Sequence, residues 1–444
     1  MEIKGERTNP IGFYILLLLS IIGYYLLGYE INRSDFPFVI TAFSVLFLAY
    51  FIFNKYYFSF KLLLAAGILF RMLLLFSIPN LSDDVYRFVW DGRLSSNGIN
   101  PFSYLPSEIM RLEAIPGITK DLFQQLNSKE YYTIYPPVLQ FIFWTAGALF
   151  PNNIYASIVY FKSILFIFEM GNIFLILQLL KTLKLPAKHS MLYVLNPLVI
   201  VELIGNVHFE GVMIFFVLLS FFLLLNQKIK ASALMFGMGI ATKLLPVLLL
   251  PLIVKKIGWK KGIYFGAIAC ATTLILFALL LDLETLTNML NSVDLFFQNF
   301  EFNASIYYLV RWVGTMITGY NIIAFAGPAL SIIAGIIILF ISLRFAHLSF
   351  LFLFTIALFT ISTWFLFATT IHPWYICMPL VLAVFTPYRF AILWSFTATL
   401  SYAAYQSVPA KEHLWLIAAG YLALLFFAIW ELKKEKASFT ARST

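Results

Sequence analysis

The feature that most constrains this chain is a succession of long apolar runs with little polar sequence between them. They cover approximately 11–28, 36–53, 62–78, 135–150, 154–180, 188–204, 209–226, 231–254, 262–281, 322–343, 348–370, 375–386, 390–408 and 414–431. A membrane span needs about 20 apolar residues, because a helix rises about 1.5 Å per residue across a hydrocarbon layer about 30 Å thick. Composition agrees: 61% of the 444 residues are hydrophobic and 11% are charged, against about 25% charged in soluble domains. The mean hydropathy is +0.89. No soluble fold hides that much apolar surface, which excludes a soluble enzyme, a disordered chain and a nucleic-acid-binding domain. Membrane barrels are excluded too, since their strands alternate in polarity over short segments. The chain reads as an all-α polytopic membrane protein with about 12–14 transmembrane or re-entrant helices, a single domain over residues 1–444.

Thirty Lys and Arg against 21 Asp and Glu give a net charge of +9. In a multi-span protein that excess belongs mainly to cytoplasmic loops. The first apolar stretch is long and no small-residue cleavage site follows it, so it reads as a span and not as a cleaved signal. Cys270 and Cys377 lie in apolar runs and read as small core residues. The basic clusters are Lys4/Arg7, Lys55/Lys61, Lys181/Lys184/Lys188, Lys228/Lys230, Lys255/Lys256/Lys260/Lys261 and Lys433/Lys434/Lys436. All fall inside if 135–150 is a partial or re-entrant segment, 231–254 is a broken hairpin, and 306–318 lies at the interface. Both termini are then cytoplasmic. The segments 79–134, Asn206–Glu210, 282–305 and His372–Tyr375 emerge on the external face. A full crossing by 135–150 would reverse the middle of the chain.

The only long hydrophilic interval, 79–134, opens with Asn80, Ser82, Asp83, Asp84, Tyr86, Arg87, Trp90, Asp91 and Arg93. Ser82 or Asp83 can cap a helix with acidic groups in its first turn, where the helix dipole favours them. Val85, Phe88 and Val89 share one face, so the helix is expected to lie along the membrane surface. Two adjacent carboxylates disfavour joint ionisation unless cations compensate. Tyr131, Tyr132, Tyr135, Pro136 and Pro137 close the interval. The two prolines fix an extended lead into the next apolar run. The tyrosines suit either an interfacial belt or stacking on a sugar.

Beyond it, Glu202 sits inside an apolar run that ends in Asn206, His208 and Glu210. Ionisable residues in a span usually face the protein interior or a wet cavity. Asn206, His208 and Glu210 alternate, so they converge only where the backbone is not helical. One His and one Glu, with no second His at a ligand spacing, make a poor zinc site. Lys243 occupies the middle of an apolar stretch beside the helix-breaking Pro246. Arg311 and His372 add cations near the same face. Acids opposite cations beside lipid headgroups suit a phosphate-bearing lipid substrate, and arginine's planar fork matches phosphate.

Taken in order, Ser82–Tyr104, Tyr131–Pro137, Asn196–Gly211, Ala241–Pro246 and His372–Tyr375 resemble the GT-C class of integral-membrane glycosyltransferases. Within that class the chain is most similar to polyprenol-phosphate-mannose-dependent mannosyltransferases, including the catalytic subunit of GPI mannosyltransferase I and its bacterial relatives. The resemblance implies inverting transfer of a hexose, mannose by likeness, from a polyprenyl-phosphate-sugar donor to a glycan or glycolipid acceptor. It also implies the external face of a bacterial inner membrane. The first large loop supplies the general base, here Asp83 or Asp84, and Asp83 is taken as the base. Asp84 is expected to bind Arg87 or an acceptor hydroxyl. Arg87, Tyr135, Glu202, His208, Glu210, Lys243, Arg311 and His372 are expected to bind substrate. One carboxylate within about 3 Å of the attacking hydroxyl suffices as base, and positioned cations stabilise the departing phosphate. That division of labour calls for no metal or cofactor, and because phosphate is already a good leaving group no general acid is required.

A lipid-linked saccharide flippase or secondary transporter is the competing reading, since broken helices and intramembrane charges also occur there. Transporters commonly pair such features between two halves, and Lys243–Pro246 has no partner of that kind in this sequence. An O-antigen-ligase-like enzyme would carry its arginines and histidine in a large late loop, which this sequence lacks. Orientation is open to direct measurement. Single cysteines placed in 79–134 should react with an impermeant thiol reagent added outside, and those in 181–188 should not. Outside labelling at 181–188 would overturn the orientation of the middle of the chain.

Overall fold

The computed structural model describes residues 10–56, 58–112, 114–345 and 349–443, so Lys4 and Arg7 lie outside the described residues. Among these residues the regular structure is helical. Extended pairing is limited to one isolated bridge between Phe302 and Thr370. Seven helices are long and apolar enough to cross a bilayer: Ile11–Glu30, Phe36–Lys55, Ile154–Thr182, Trp259–Ala278, Ile323–Phe345, Phe350–Phe367 and Leu414–Glu435. An eighth span arises if Ala187–Val194 and Pro197–Gly205, bent by 53°, are taken together. Four shorter apolar helices, Pro137–Leu149, Glu210–Leu225, Ile229–Ile240 and Pro373–Ala383, complete the set. The protein is a polytopic all-α membrane protein.

The chain forms two compact units. One comprises Met1–Leu74, Ile176–Glu202 and Glu301–Thr444, the other Leu75–Leu175 and Leu203–Phe300.

In the second unit the short helix Asp84–Ser96 packs closely on Pro137–Leu149, and glycine makes that crossing. A Cβ on Gly92 would lie 2.1 Å from the Phe143 carbonyl oxygen, and one on Gly147 would lie 2.1 Å from the Gly92 carbonyl oxygen. Small residues let helix backbones approach where lipid supplies no hydrophobic drive. Around the crossing, Phe88 stacks on Phe143 at 4.8 Å and meets Tyr135 and Phe209 edge-on at 5.0 and 5.3 Å. Val85, Phe88, Val89, Trp90 and Leu94 are buried, as are the polar Arg87, Asp91 and Arg93. The helix therefore does not rest one apolar face on the membrane surface. It is enclosed, because its polar residues find partners inside the protein. Pro136 is extended and Pro137 opens the next helix, as expected. At 13 residues, about 20 Å, that helix is short for a span.

Also in this unit, Glu210–Leu225 and Ile229–Ile240 are joined by Ser232 Oγ donating to the Ser220 carbonyl at 2.7 Å. The expected break in 231–254 is present. The α-helix stops at Ile240, and after Ala241–Leu244 a 3-10 turn Leu245–Leu249 leads into Leu250–Ile257.

In the first unit, the bend near Asn196–Pro197 has a clear cause. Pro197 has no N–H to give, and the Asn196 side chain accepts from Leu198 N at 3.0 Å. The Val194 carbonyl, freed by this, takes Nη1 of the fully buried Arg71 at 2.6 Å. The expected span 62–78 is shorter than anticipated and ends as a helix at Leu73. The expected span 390–408 changes from α-helix to 3-10 helix after Thr397. Cys377 is buried, but Cys270 is exposed on Trp259–Ala278 and is not a core residue; neither is in a disulfide.

Gly147→Ala should cost about 1–3 kcal/mol through overpacking and lower the melting temperature of the purified protein. Gly335→Ala, whose Cβ would meet nothing within 4 Å, should leave it unchanged. Equal melting of all three proteins would show that the Gly92–Gly147 crossing does not limit stability.

Candidate active site

The second unit gathers most of the expected site residues. Asp83 precedes the first turn of Asp84–Ser96, but its side chain does not cap the helix. Ser82 Oγ instead accepts from Asp84 N at 3.3 Å. Asp84 Oδ1 accepts from Asn127 Nδ2 at 2.8 Å, and its Oδ2 lies 3.9 Å from Nε2 of the buried His208. Burial, and then the neighbouring Asp83 carboxylate, push the Tyr86 hydroxyl above its usual value.

His208 reaches Asp84 because the helix is interrupted. The π-helical turn Ile200–Gly205 ends, residues 206–209 are irregular, and a new helix begins at Glu210. Val207 is left-handed at φ 62°, a strained position for a β-branched residue that the surroundings must enforce. On one side of it, the Asn206 side chain accepts from Leu81 N at 3.4 Å. On the other side stands His208. Thus the two ends of the irregular segment are registered on 81–84. Glu210, almost fully buried, is ion-paired with Lys243, which sits in the break after Ile240. Lys243 was expected to point into a polar setting, and a carboxylate supplies it.

Arg87 differs from expectation. Its Nε pairs with Asp91 at 2.8 Å, and its Nη1 donates to the carbonyls of Ser128 and Tyr131 at 3.0 and 2.9 Å. It therefore does not bind Asp84, and at 3% exposure its Nε and Nη1 are bonded within the protein. Tyr135 is half-buried, edge-on to Phe88 and Phe143.

Glu202, Arg311 and His372 belong to the first unit. Glu202 is fully buried and accepts from the Tyr402 hydroxyl. Arg311 is ion-paired with Glu301 and lies over the Tyr308 ring, 4.5 Å from its centroid. The Tyr308 hydroxyl bonds Glu412, which also accepts from Asn303 N at 2.5 Å. Burial pushes the Glu412 carboxyl above its ordinary value. His372 is stacked between Trp374 at 4.4 Å and Phe302 at 5.0 Å. Arg311 and His372 are thus linked through the Phe302–Asn303 segment. Among the described residues, no three His, Cys, Asp or Glu side chains converge as ligands of a metal ion would.

Sequence reasoning passed over several buried polar residues of the second unit. Asp91 is fully buried and accepts from Thr133 Oγ1 at 2.5 Å and Gln140 Nε2 at 3.1 Å. Lys162 Nζ donates to Ser77 Oγ at 2.6 Å. Asn172 Nδ2 donates to Glu169 Oε1 at 2.8 Å and to the Gly211 carbonyl at 2.9 Å. Lys162 and Glu169 were findable, as charges within the apolar run 154–180.

Residues 32–257, just over half of the chain, match the alpha-(1->6)-mannopyranosyltransferase family through the family's N-terminal domain. The chain belongs to that family. This mannosyltransferase is accordingly a membrane glycosyltransferase, and the resemblance to GT-C mannosyltransferases is borne out. No curated protein matches the chain at a significant level. The matched range contains Asp83, Asp84, Arg87, Tyr135, Glu202, His208, Glu210 and Lys243, and leaves Arg311 and His372 beyond its end.

The Glu210–Lys243 pair yields a stability test. Lys243→Met leaves the nearly buried Glu210 carboxylate without its partner and should cost about 3 kcal/mol. The double variant Lys243→Met/Glu210→Gln should recover most of that loss in thermal unfolding. No recovery would mean that the pair is not the source of the cost.

Proposed function

We propose that this mannosyltransferase takes mannose from a polyprenyl-phosphate-mannose donor and passes it, with inversion, to a glycan or glycolipid acceptor. In this reading the chain acts as one enzymatic domain in a bacterial plasma membrane. The site opens to the external face through 79–134, and the bond formed is the alpha-(1->6) linkage for which the family is described. Asp83 removes the proton of the acceptor hydroxyl as its oxygen attacks the anomeric carbon. The bond from that carbon to the phosphate oxygen breaks, and polyprenyl phosphate leaves with the bonding pair. His208 and Lys243 face the developing negative charge. Tyr135 offers a ring to the sugar.

The observation that carries this reading is the meeting of Asp84 with His208. An acidic helix start and an imidazole from a strained break stand side by side, and Glu210, two residues further on, is ion-paired with Lys243. Asn127 donates to one Asp84 oxygen and His208 faces the other. In this reading those contacts hold Asp84 in place, and the proton transfer falls to Asp83.

General bases contribute about 10²–10⁴-fold, so Asp83→Asn should lower turnover by about that factor while donor binding persists. The assay follows release of polyprenyl phosphate from polyprenyl-phosphate-mannose by purified protein. Near-normal turnover in Asp83→Asn with loss in Asp84→Asn would exchange their roles. Normal turnover in both would remove this loop from the chemistry.

A further inference from the structure

We propose that Asn127, Arg87 and Asp91 act as one positioning device for the transfer reaction, fixing the Asp84 carboxylate against His208. This rests on the reading that Asp83 and Asp84 head the active site.

Asp91 is fully buried and has three donors: Arg87 Nε at 2.8 Å, Thr133 Oγ1 at 2.5 Å and Gln140 Nε2 at 3.1 Å. Arg87, one helical turn before it, carries its other bonds outward from the helix. Its Nη1 grips the carbonyls of Ser128 and Tyr131 at 3.0 and 2.9 Å. The segment 128–133 is thereby tied at both ends to the helix that begins with Asp84. Asn127 immediately precedes the gripped Ser128, and its amide donates to Asp84 Oδ1 at 2.8 Å. The other oxygen, Oδ2, is the one that faces His208.

The arrangement is a closed loop of contacts: Asp84 to Asn127, Asn127 to Ser128 through the chain, Ser128 to Arg87, and Arg87 back along the same helix to Asp84. Its buried part is rigid, because a guanidinium held by a carboxylate and two carbonyls has few other geometries available. Its exposed part is the single Asn127 bond. Alone, an exposed hydrogen bond orients a carboxylate weakly. Anchored to the buried pair, it fixes the carboxylate's rotation and so fixes which oxygen meets the imidazole. Arg87 thus acts through another residue and does not touch substrate.

The test separates positioning from folding. Asn127 is exposed, so Asn127→Leu removes the bond without disturbing the interior. Its turnover per folded molecule should fall about tenfold with the donor KM and melting temperature unchanged; misplaced catalytic groups cost up to about 10². Asn127→Gln, which keeps the amide, should restore part of the loss. Asp91→Asn should fall at least as far. The double variant Asp91→Asn/Asn127→Leu should be no worse than Asp91→Asn, because both act on one contact. Wild-type turnover in Asn127→Leu, or additive losses in the double variant, would overturn the proposal. Asp83→Asn is assayed in parallel. Full activity there and in Asp84→Asn alike would defeat the active-site reading itself, whereas an inactive Asp83→Asn beside an unaffected Asn127→Leu defeats the positioning device alone.

Discussion

A bilayer gives a broken helix no water to bond, so each interruption in this fold must be satisfied from within. That constraint explains residues which would otherwise look misplaced. Arg71 lies fully buried because it closes the carbonyl of Val194, left open where Asn196 caps the turn after the bend. Asn206 bonds Leu81 N beside the left-handed Val207. In the segment after Ile240, Lys243 is ion-paired with Glu210. Helix breaks also bring polar groups into an apolar body, and in the second unit those groups are the candidate site.

The same economy governs charge. Isolated ions are costly to bury, so buried charges are paired and hydrogen-bonded. Arg87 with Asp91 and Lys243 with Glu210 follow that rule, and Arg311 with Glu301 follows it in the other unit. The pairs differ in what they can do for a mannosyltransferase. Arg87 and Asp91 are sealed and shape a loop. Lys243 keeps about a third of its side chain exposed, which is what the proposed role toward a donor phosphate requires. The Asp84–His208 contact is the loosest, at 3.9 Å, and is the one a substrate can most readily alter.

Sequence alone carried a good part of this. Apolar run lengths gave the membrane class, because a span is set by bilayer thickness. Pro136, Pro137 and Pro246 marked local departures from helix, because proline lacks an N–H. Asn206, His208 and Glu210 alternate and so converge only where the backbone is not helical, a condition that the left-handed Val207 helps to meet. Acidic pair, lysine in an apolar run and tyrosine-proline loop end were all legible as chemistry out of place in lipid.

What sequence could not assign was partnership. Arg87 sits one turn from both Asp84 and Asp91, and local spacing left Asp84 as the expected mate. The choice of Asp91 depends on Thr133 and Gln140 arriving from outside the helix, over the crossing that Gly92 and Gly147 permit. His208 meets Asp84 across 124 residues of chain, and Glu202 finds Tyr402 across 200. Apolar periodicity sets which elements form, since it depends on neighbours three or four residues apart. Contacts of such long range depend on how those elements cross, and only the tertiary structure decides that.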